Sequence, residues 1–461
     1  MSKDVLKYDA IIIGSGQGGN PLASKLAGRG ERVALIESSF LGGTCVNTGC
    51  TPTKTMVASA QVAHYARYAD RWGVRANNVS VDLPAILKRK DEVVMRSRSG
   101  WERSVDQDRQ PRWFRGRAQF TGPKRIEVDG ETLEGTRVFI DTGSTPTIPD
   151  LEGINSVPYL TNESILKQNV LPETLIVLGG GYVGLEFAQM FRRFGSEVIV
   201  VQRKAQILPS EDEEVAAGLQ KALEAEGIRF HLNARATKVE GTAGNLTLTL
   251  ETGGEASVVT GSHLLVAVGR SPQTKDLQLE RTGVETDAKG YIQVNERLET
   301  TAPDIWAMGD VTGHPAFTHF SYNDFQIIYA NVYENGKLST RTRILQYAVF
   351  TDPALGRVGV TEREARAQGK KIKVGKIEMA RVARAVERGE TAGLMKIVVD
   401  AESDKVLGAA ILSSEGGEVV QILHTLMLAD KPHTLLKEGI FIHPTFAEGF
   451  FTLMNRVQPV N

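Results

Sequence analysis

One arrangement of apolar and polar positions occurs twice along this chain. Residues 8–37, YDAIIIGSGQGGNPLASKLAGRGERVALIE, begin with an unbroken apolar run at 10–13, turn through glycines into a helix-period segment, and end in a second apolar run, VALIE. Short apolar runs bounded by glycine predict strands buried on both faces. Residues 173–204, ETLIVLGGGYVGLEFAQMFRRFGSEVIVVQRK, repeat the order strand, glycine turn, helix, strand. Between and beyond them the pattern changes. Residues 140–153, IDTGSTPTIPDLEG, are dense in Gly, Pro, Thr and Asp and predict a crossing between domains, as do residues 264–274, LLVAVGRSPQT. Residues 228–268 alternate short β-like runs with polar turns, and residues 300–313, TTAPDIWAMGDVTG, predict a strand that projects Asp310 from its tip. From about residue 341 the strand-like runs ILQYAVF, LMKIVVD and VLGAAIL, with an amphipathic helix at EVVQILHTLMLAD, predict a separate α+β domain.

The glycines give the repeated unit its chemistry. Gly14, Gly16 and Gly19 fit G-x-G-x-x-G between strand and helix, where a tight turn lets backbone amides approach a pyrophosphate at the helix N-terminus. Glu37 closes the second strand at the distance expected of a ribose-binding acid. Gly179, Gly181 and Gly184 repeat the fingerprint. Two such sites imply two dinucleotides, and the economical pair is a flavin that takes hydride from a nicotinamide. The fold class read from this order is α/β: two Rossmann-like dinucleotide-binding domains, 1–150 and 151–275, a central segment, 276–340, and a C-terminal α+β domain, 341–461.

Composition narrows the partners. A chain of 461 residues exceeds one core. Lys plus Arg at 54 against Asp plus Glu at 55 gives no electrostatic case for nucleic acid or an acidic membrane. No apolar run approaches the length of a membrane span, and the start has no signal-peptide layout, so a cytoplasmic protein is expected. Both cysteines, Cys45 and Cys50, fall in GGTCVNTGCTPTK. In a reducing compartment a pair that close points to catalysis rather than a staple. In a regular helix their α-carbons would stand about 8 to 9 Å apart, whereas a disulfide wants less than about 7 Å. The turn between them must therefore be distorted if they bond, and Gly42, Gly43 and Gly49 supply the backbone freedom.

The motifs GSGQGG, GGTCVNTGCTPTK, TGSTP, GGGYVGLE, AVGRSP, WAMGD, FTDPALGRVGVTE and HPTFAEGF stand in family order over essentially the whole chain. The sequence thereby resembles the group I pyridine nucleotide-disulfide oxidoreductases, the flavoproteins that include dihydrolipoamide dehydrogenase, glutathione reductase and mercuric reductase. GQGGNPLA, CTPTKT and FTHFSYND look most like the mercuric reductase-like branch. The resemblance implies that the first two domains bind FAD and NAD(P)H, that 276–340 completes the FAD site and that 341–461 is a dimerisation domain. It implies too that Cys45 is the outer, substrate-attacking thiol and Cys50 the inner thiol against the flavin. Lys54 would lie beside the flavin, paired with Glu186. His443 and Glu448 would form an acid/base pair that reaches the site from the other subunit of a homodimer. Asp310 resembles the residue on the flavin's ribityl chain, and Ala118 the one whose backbone meets the adenine. Tyr182 would be a lid over the nicotinamide pocket, and His319 a flavin neighbour. Thr44, Gly143 and Gly269 join the cofactor-binding residues on the same ground. No metal site is expected.

The resemblance leaves the acceptor open: a small disulfide first, with a metal ion, a quinone or oxidised-direction dihydrolipoamide chemistry as alternatives. The tail FFTLMNRVQPVN carries no cysteine, which argues against efficient mercuric or thioredoxin reduction. For the nicotinamide, Gln202 stands where an NAD site wants an acid, and Arg203 aligns with a 2′-phosphate arginine. Gly184 and Pro209 point the other way; the charged contact touches the discriminating group, so NADPH is expected in preference to NADH.

Overall fold

The computed structural model describes residues 5–105 and 111–460. The chain divides into two compact units, one of residues 1–56, 84–147 and 269–343, the other of residues 57–83, 148–268 and 344–461.

In the first unit, strand β1 (Val5–Ile13) leads into helix α1 (Gly19–Gly28) and strand β2 (Val33–Glu37). Short helix α2 (Gly43–Asn47) and helix α3 (Cys50–Arg67) follow, and strand β3 (Glu131–Ile140) returns beside β1. A seven-stranded sheet results, in the order Arg112–Arg115, β2, β1, β3, Arg125–Val128, Gln119–Gly122, with Ile305–Ala307 also paired to β3. Both faces of β1 are buried, as its unbroken apolar run requires. Ile11 and Ile13 pack into one core with Ala34, Ile36, Val138 and Ile140. Ala10 and Ile12 pack into another, under Leu22, Ala23 and Leu26 of α1. The two segments read as domain crossings pair with each other as an antiparallel ladder, Ser144 opposite Pro272 and Pro146 opposite Arg270.

The second unit opens its own module with strand β4 (Thr174–Leu178), helix α4 (Tyr182–Phe194) and strand β5 (Glu197–Val201). These join Arg229–His231 and strand β6 (His263–Val266) in a four-stranded parallel sheet of order Arg229–His231, β5, β4, β6. The alternating stretch before β6 is a three-stranded antiparallel sheet, Arg235–Thr242, Asn245–Thr252 and Glu255–Gly261. The C-terminal part is a six-stranded antiparallel sheet packed with helix Gly416–Leu428. It is tied to the nucleotide module by Lys396. That ammonium is 2% exposed and lies 2.9 Å from Asp212, 2.8 Å from Glu214 and 2.8 Å from Glu362.

Candidate active site

The helix breaks between the cysteines although no disulfide joins them. α2 stops at Asn47, Thr48 leaves helical geometry at φ −141° and ψ 14°, and α3 restarts at Cys50. The Thr48 amide still donates to the Thr44 carbonyl at 2.9 Å. The three glycines do different work here. Gly42 and Gly43 hold φ of +98° and +60°, a region that disfavours other residues. Gly49 is needed for space, since a Cβ there would lie 2.9 Å from the Thr44 oxygen.

Both cysteines stand as thiols, Cys45 half-buried and Cys50 exposed. The Cys50 sulfur lies 3.3 Å from the Thr318 hydroxyl, at the first turn of helix Thr318–Tyr333. Cys45 is pushed well above the usual thiol range by its hydrogen bond to Cys50, by burial and by the charge of Cys50; Thr318 and Lys54 pull it back. Lys54 stands one turn beyond Cys50 on the same face of α3. Thr318 was not among the residues expected from sequence. Its neighbour His319, expected beside the flavin, is exposed and stacks on Phe317 at 5.6 Å.

In the first module Gly14 holds φ +102°, and a Cβ there would lie 2.1 Å from the Asp141 carbonyl oxygen. A Cβ on Gly19 would lie 2.2 Å from the Gly14 oxygen. The turn is therefore closed to side chains, as a backbone cradle for a pyrophosphate must be. Glu37 accepts the Ser15 amide at 3.1 Å and the Ser15 hydroxyl at 2.7 Å with one oxygen, and the Ser39 amide at 2.8 Å with the other. Asp310 accepts the Ser144 hydroxyl and stands 3.7 Å from Arg270, which itself donates to Ser144 at 2.7 Å. Gly143 and Gly269, at φ +69° and +143°, flank that ladder. Ala118 is buried. This cradle, the acid at the end of β2 and the carboxylate at Asp310 fit an FAD.

The second module repeats the cradle. Gly179 holds φ +116° with its missing Cβ 2.4 Å from the Ala267 oxygen, and a Cβ on Gly184 would lie 2.2 Å from the Gly179 oxygen. Around Gly181 there is open space. Tyr182 begins α4, and buried Glu186 accepts the Phe350 amide at 2.9 Å. Gln202 is buried and donates to the Gln206 carbonyl at 3.3 Å, while Arg203 beside it is exposed. At the C-terminus the His443 Nδ1 and the Glu448 carboxylate are 2.7 Å apart, which fixes the ring's orientation. The His443 side chain is 71% exposed, just after Ile440 at 102% and Ile442 at 79%.

A broken-helix thiol pair, two glycine cradles and a terminal His–Glu pair on this α/β scaffold define a flavoprotein disulfide reductase. The chain belongs to the pyridine nucleotide-disulphide oxidoreductase family, whose profile matches residues 8–324, with the family's dimerisation domain over residues 345–454. It is 35% identical over 98% of its length to the whole of a probable pyridine nucleotide-disulfide oxidoreductase, RclA, from Escherichia coli. It is 36% identical to a dihydrolipoyl dehydrogenase of Thermus scotoductus, over 96% of this chain and 95% of that one. A mercuric reductase of Staphylococcus aureus is 34% identical over 90% of this chain and 76% of its own. Among solved structures, a Cu(II) complex of the HOCl-induced flavoprotein disulfide reductase RclA from Escherichia coli superposes with a TM-score of 0.88 at 35% identity, covering 97% of this chain and 99% of that one. The protein is thus an FAD-dependent pyridine nucleotide-disulfide oxidoreductase with a redox-active disulfide, and it carries a dimerisation domain. Among the described residues no helix is long and apolar enough to cross a membrane.

Proposed function

We propose that Cys45 and Cys50 are the redox pair and that, once reduced, they deliver two electrons to a small disulfide in the cytoplasm. Held by the first glycine cradle, FAD would supply the electron pair, taken as hydride from a nicotinamide nucleotide, that reduces the Cys45–Cys50 disulfide. The observation that carries the assignment is the asymmetry of the thiols. Cys45 is raised by its hydrogen bond to Cys50 and by burial, so it keeps its proton until a base takes it, while the exposed Cys50 sulfur lies against the Thr318 hydroxyl at 3.3 Å. His443, oriented by Glu448, is that base. The Cys45 thiolate attacks a substrate sulfur and forms a mixed disulfide. The leaving thiolate takes the proton from His443; Cys50 then attacks the Cys45 sulfur as a thiolate, the second substrate sulfur leaves as a thiolate that solvent protonates, and the protein disulfide is restored.

The exposure of His443, Ile440 and Ile442 on the segment preceding the family's terminal helix favours a homodimer in which His443 serves the site of the other copy. Lys54, Glu186, Asp310, Ala118 and the glycines of both modules are assigned to the cofactors, with Tyr182 as the nicotinamide lid. Exposed Arg203 beside Gln202 favours NADPH over NADH, because a guanidinium binds a 2′-phosphate that a carboxylate would repel. Mixing inactive Cys45→Ser and His443→Ala subunits should restore part of the activity, since one site of each heterodimer is intact. Failure to recover despite demonstrated subunit exchange would put His443 in its own chain's site, and alkylation that labels neither cysteine after NADPH reduction would remove the redox pair. A second reading, reduction of a metal ion by the same dithiol, is favoured by the mercuric reductases and the Cu(II) complex among the relatives.

A further inference from the structure

Beneath the first cradle lies a carboxyl group that the reaction does not use. Asp141, the residue after β3, is 6% exposed. Its Oδ2 accepts the Gly19 amide at 2.7 Å, inside the N-terminal turn of α1. A Cβ on Gly16 would lie 2.7 Å from that same oxygen, and one on Gly309 would lie 2.8 Å from Oδ1. The carboxyl therefore fills the space directly under the turn where a pyrophosphate would rest, and takes an amide that such a turn offers to anions.

The second module shows that the turn does not need it. There the residue after β6 is Ala267, whose amide donates to the Leu178 carbonyl at 2.8 Å, as the Asp141 amide donates to Ile13 at 2.7 Å. Each carbonyl closes on the first glycine of its own turn, and only the side chain differs. We propose that Asp141 binds FAD as a neutral acid and thereby makes the protein's hold on its flavin depend on pH. The proposal rests on the reading that the first module is the flavin site.

The surroundings favour the neutral form. Asp141 faces Asp310 on the turn Gly309–Thr312 and Asp324 on helix Thr318–Tyr333, and from α1 the amides of Gly18 and Gly19. Asp324 is already engaged by Arg343 and by the Gly309 amide at 2.7 Å, and Arg270 by Ser144 and Asp310. Burial first, then the two neighbouring carboxylates, push Asp141 well above the usual carboxylate range; the backbone bonds oppose them. A pyrophosphate brings further negative charge and raises it more, so FAD and a proton bind together. As pH rises, the proton is lost and a carboxylate faces the phosphates. In the window between the values for the FAD-free and FAD-bound protein, one proton is linked to binding and Kd should rise about tenfold per pH unit.

The test is FAD titration of the stripped protein, followed by flavin fluorescence, upward from the ordinary carboxylate range across every pH at which the stripped protein stays folded. Wild type should lose affinity along that slope, and Asp141→Asn should show a flat profile. Asp141→Ala, which restores the residue of the second module, should be flat too and covers the case in which the Asn variant does not fold. A wild type with constant affinity, or a variant with the wild-type slope, overturns the proposal. Gly14→Ala separates it from the underlying reading: if that variant still binds FAD like wild type, the first module is not the flavin site.

Discussion

The two nucleotide modules are built on the same backbone and furnished with opposite charges. Each has a first glycine at positive φ pressed against the carbonyl that follows a neighbouring parallel strand, and a third glycine pressed against the first. In the first module the neighbouring side chains are acids: Glu37 at the end of β2, Asp141 under the turn, Asp310 at its rim. In the second, the matching places hold Gln202 and Ala267, with Arg203 and Lys204 exposed beside them. The cradle offers backbone amides to a phosphate in both. On the proposed reading, the side chains around it decide which nucleotide binds and under what conditions.

The comparison breaks most sharply at the first glycines. Gly14→Ala should weaken FAD binding by about a hundredfold, roughly 2.7 kcal/mol, and yield a colourless protein. Gly179→Ala should leave the protein yellow and cost a similar factor in the KM for the nicotinamide nucleotide. Absorbance of the purified variants and flavin-reduction rates check both, and equal loss of colour would mean that the modules are not independent sites. Glu37→Gln comes next. It places an amide NH2 against the Ser39 amide and removes a charged acceptor from Ser15, at about 1.5 to 3 kcal/mol. The FAD Kd should rise by about tenfold or more while the nicotinamide KM stays put. The reciprocal change, Gln202→Glu with Arg203→Ala, should shift the kcat/KM ratio toward NADH by at least about tenfold, or 1.4 kcal/mol. A wild type that already prefers NADH contradicts the NADPH assignment. The smallest effect is expected from Ala267→Asp, in a half-buried and less crowded place beside open Gly181. It should make the nicotinamide KM climb with pH by a few-fold where wild type is level. A level profile would confine the effect to the deep burial of Asp141.

Much of this was legible along the chain because it is local. Glycine spacing, the acid that ends VALIE and the terminal HPTFAEGF each span few residues, and the geometry that they imply is set by nearby backbone. Asp141 was hidden because IDTGSTPT reads as a polar crossing, and nothing in the order of residues says that one of its acids turns inward beneath a turn far upstream. The signal that could have found it is the mismatch with Ala267 when the two modules are laid over each other. Thr318 stands 268 residues from Cys50, so only tertiary packing unites them. A hydroxyl at the start of a helix reads first as a cap. A distorted turn at Thr48 was expected only if the cysteines bond, yet the helix breaks there with no disulfide between them, and the form of the break was hidden because glycine announces freedom without saying whether φ or space is what it serves.

The buried Lys396 has a mechanical consequence. One ammonium holds the N-terminal turn of helix Glu213–Ala225, through Asp212 and Glu214, and that of helix Glu362–Ala367, through Glu362. Parting the second nucleotide module from the C-terminal sheet would break the ion pairs of Lys396 with Asp212 and Glu214, so this one ammonium ties the two together. Burial works against ionisation of Asp212 and Glu362, but the bonds from Lys396 outweigh it and hold both below the usual carboxylate range. Their clamping is complete above the ordinary carboxylate range and fades only as acid protonates them below it. Acid is then the solvent condition that loosens this tie.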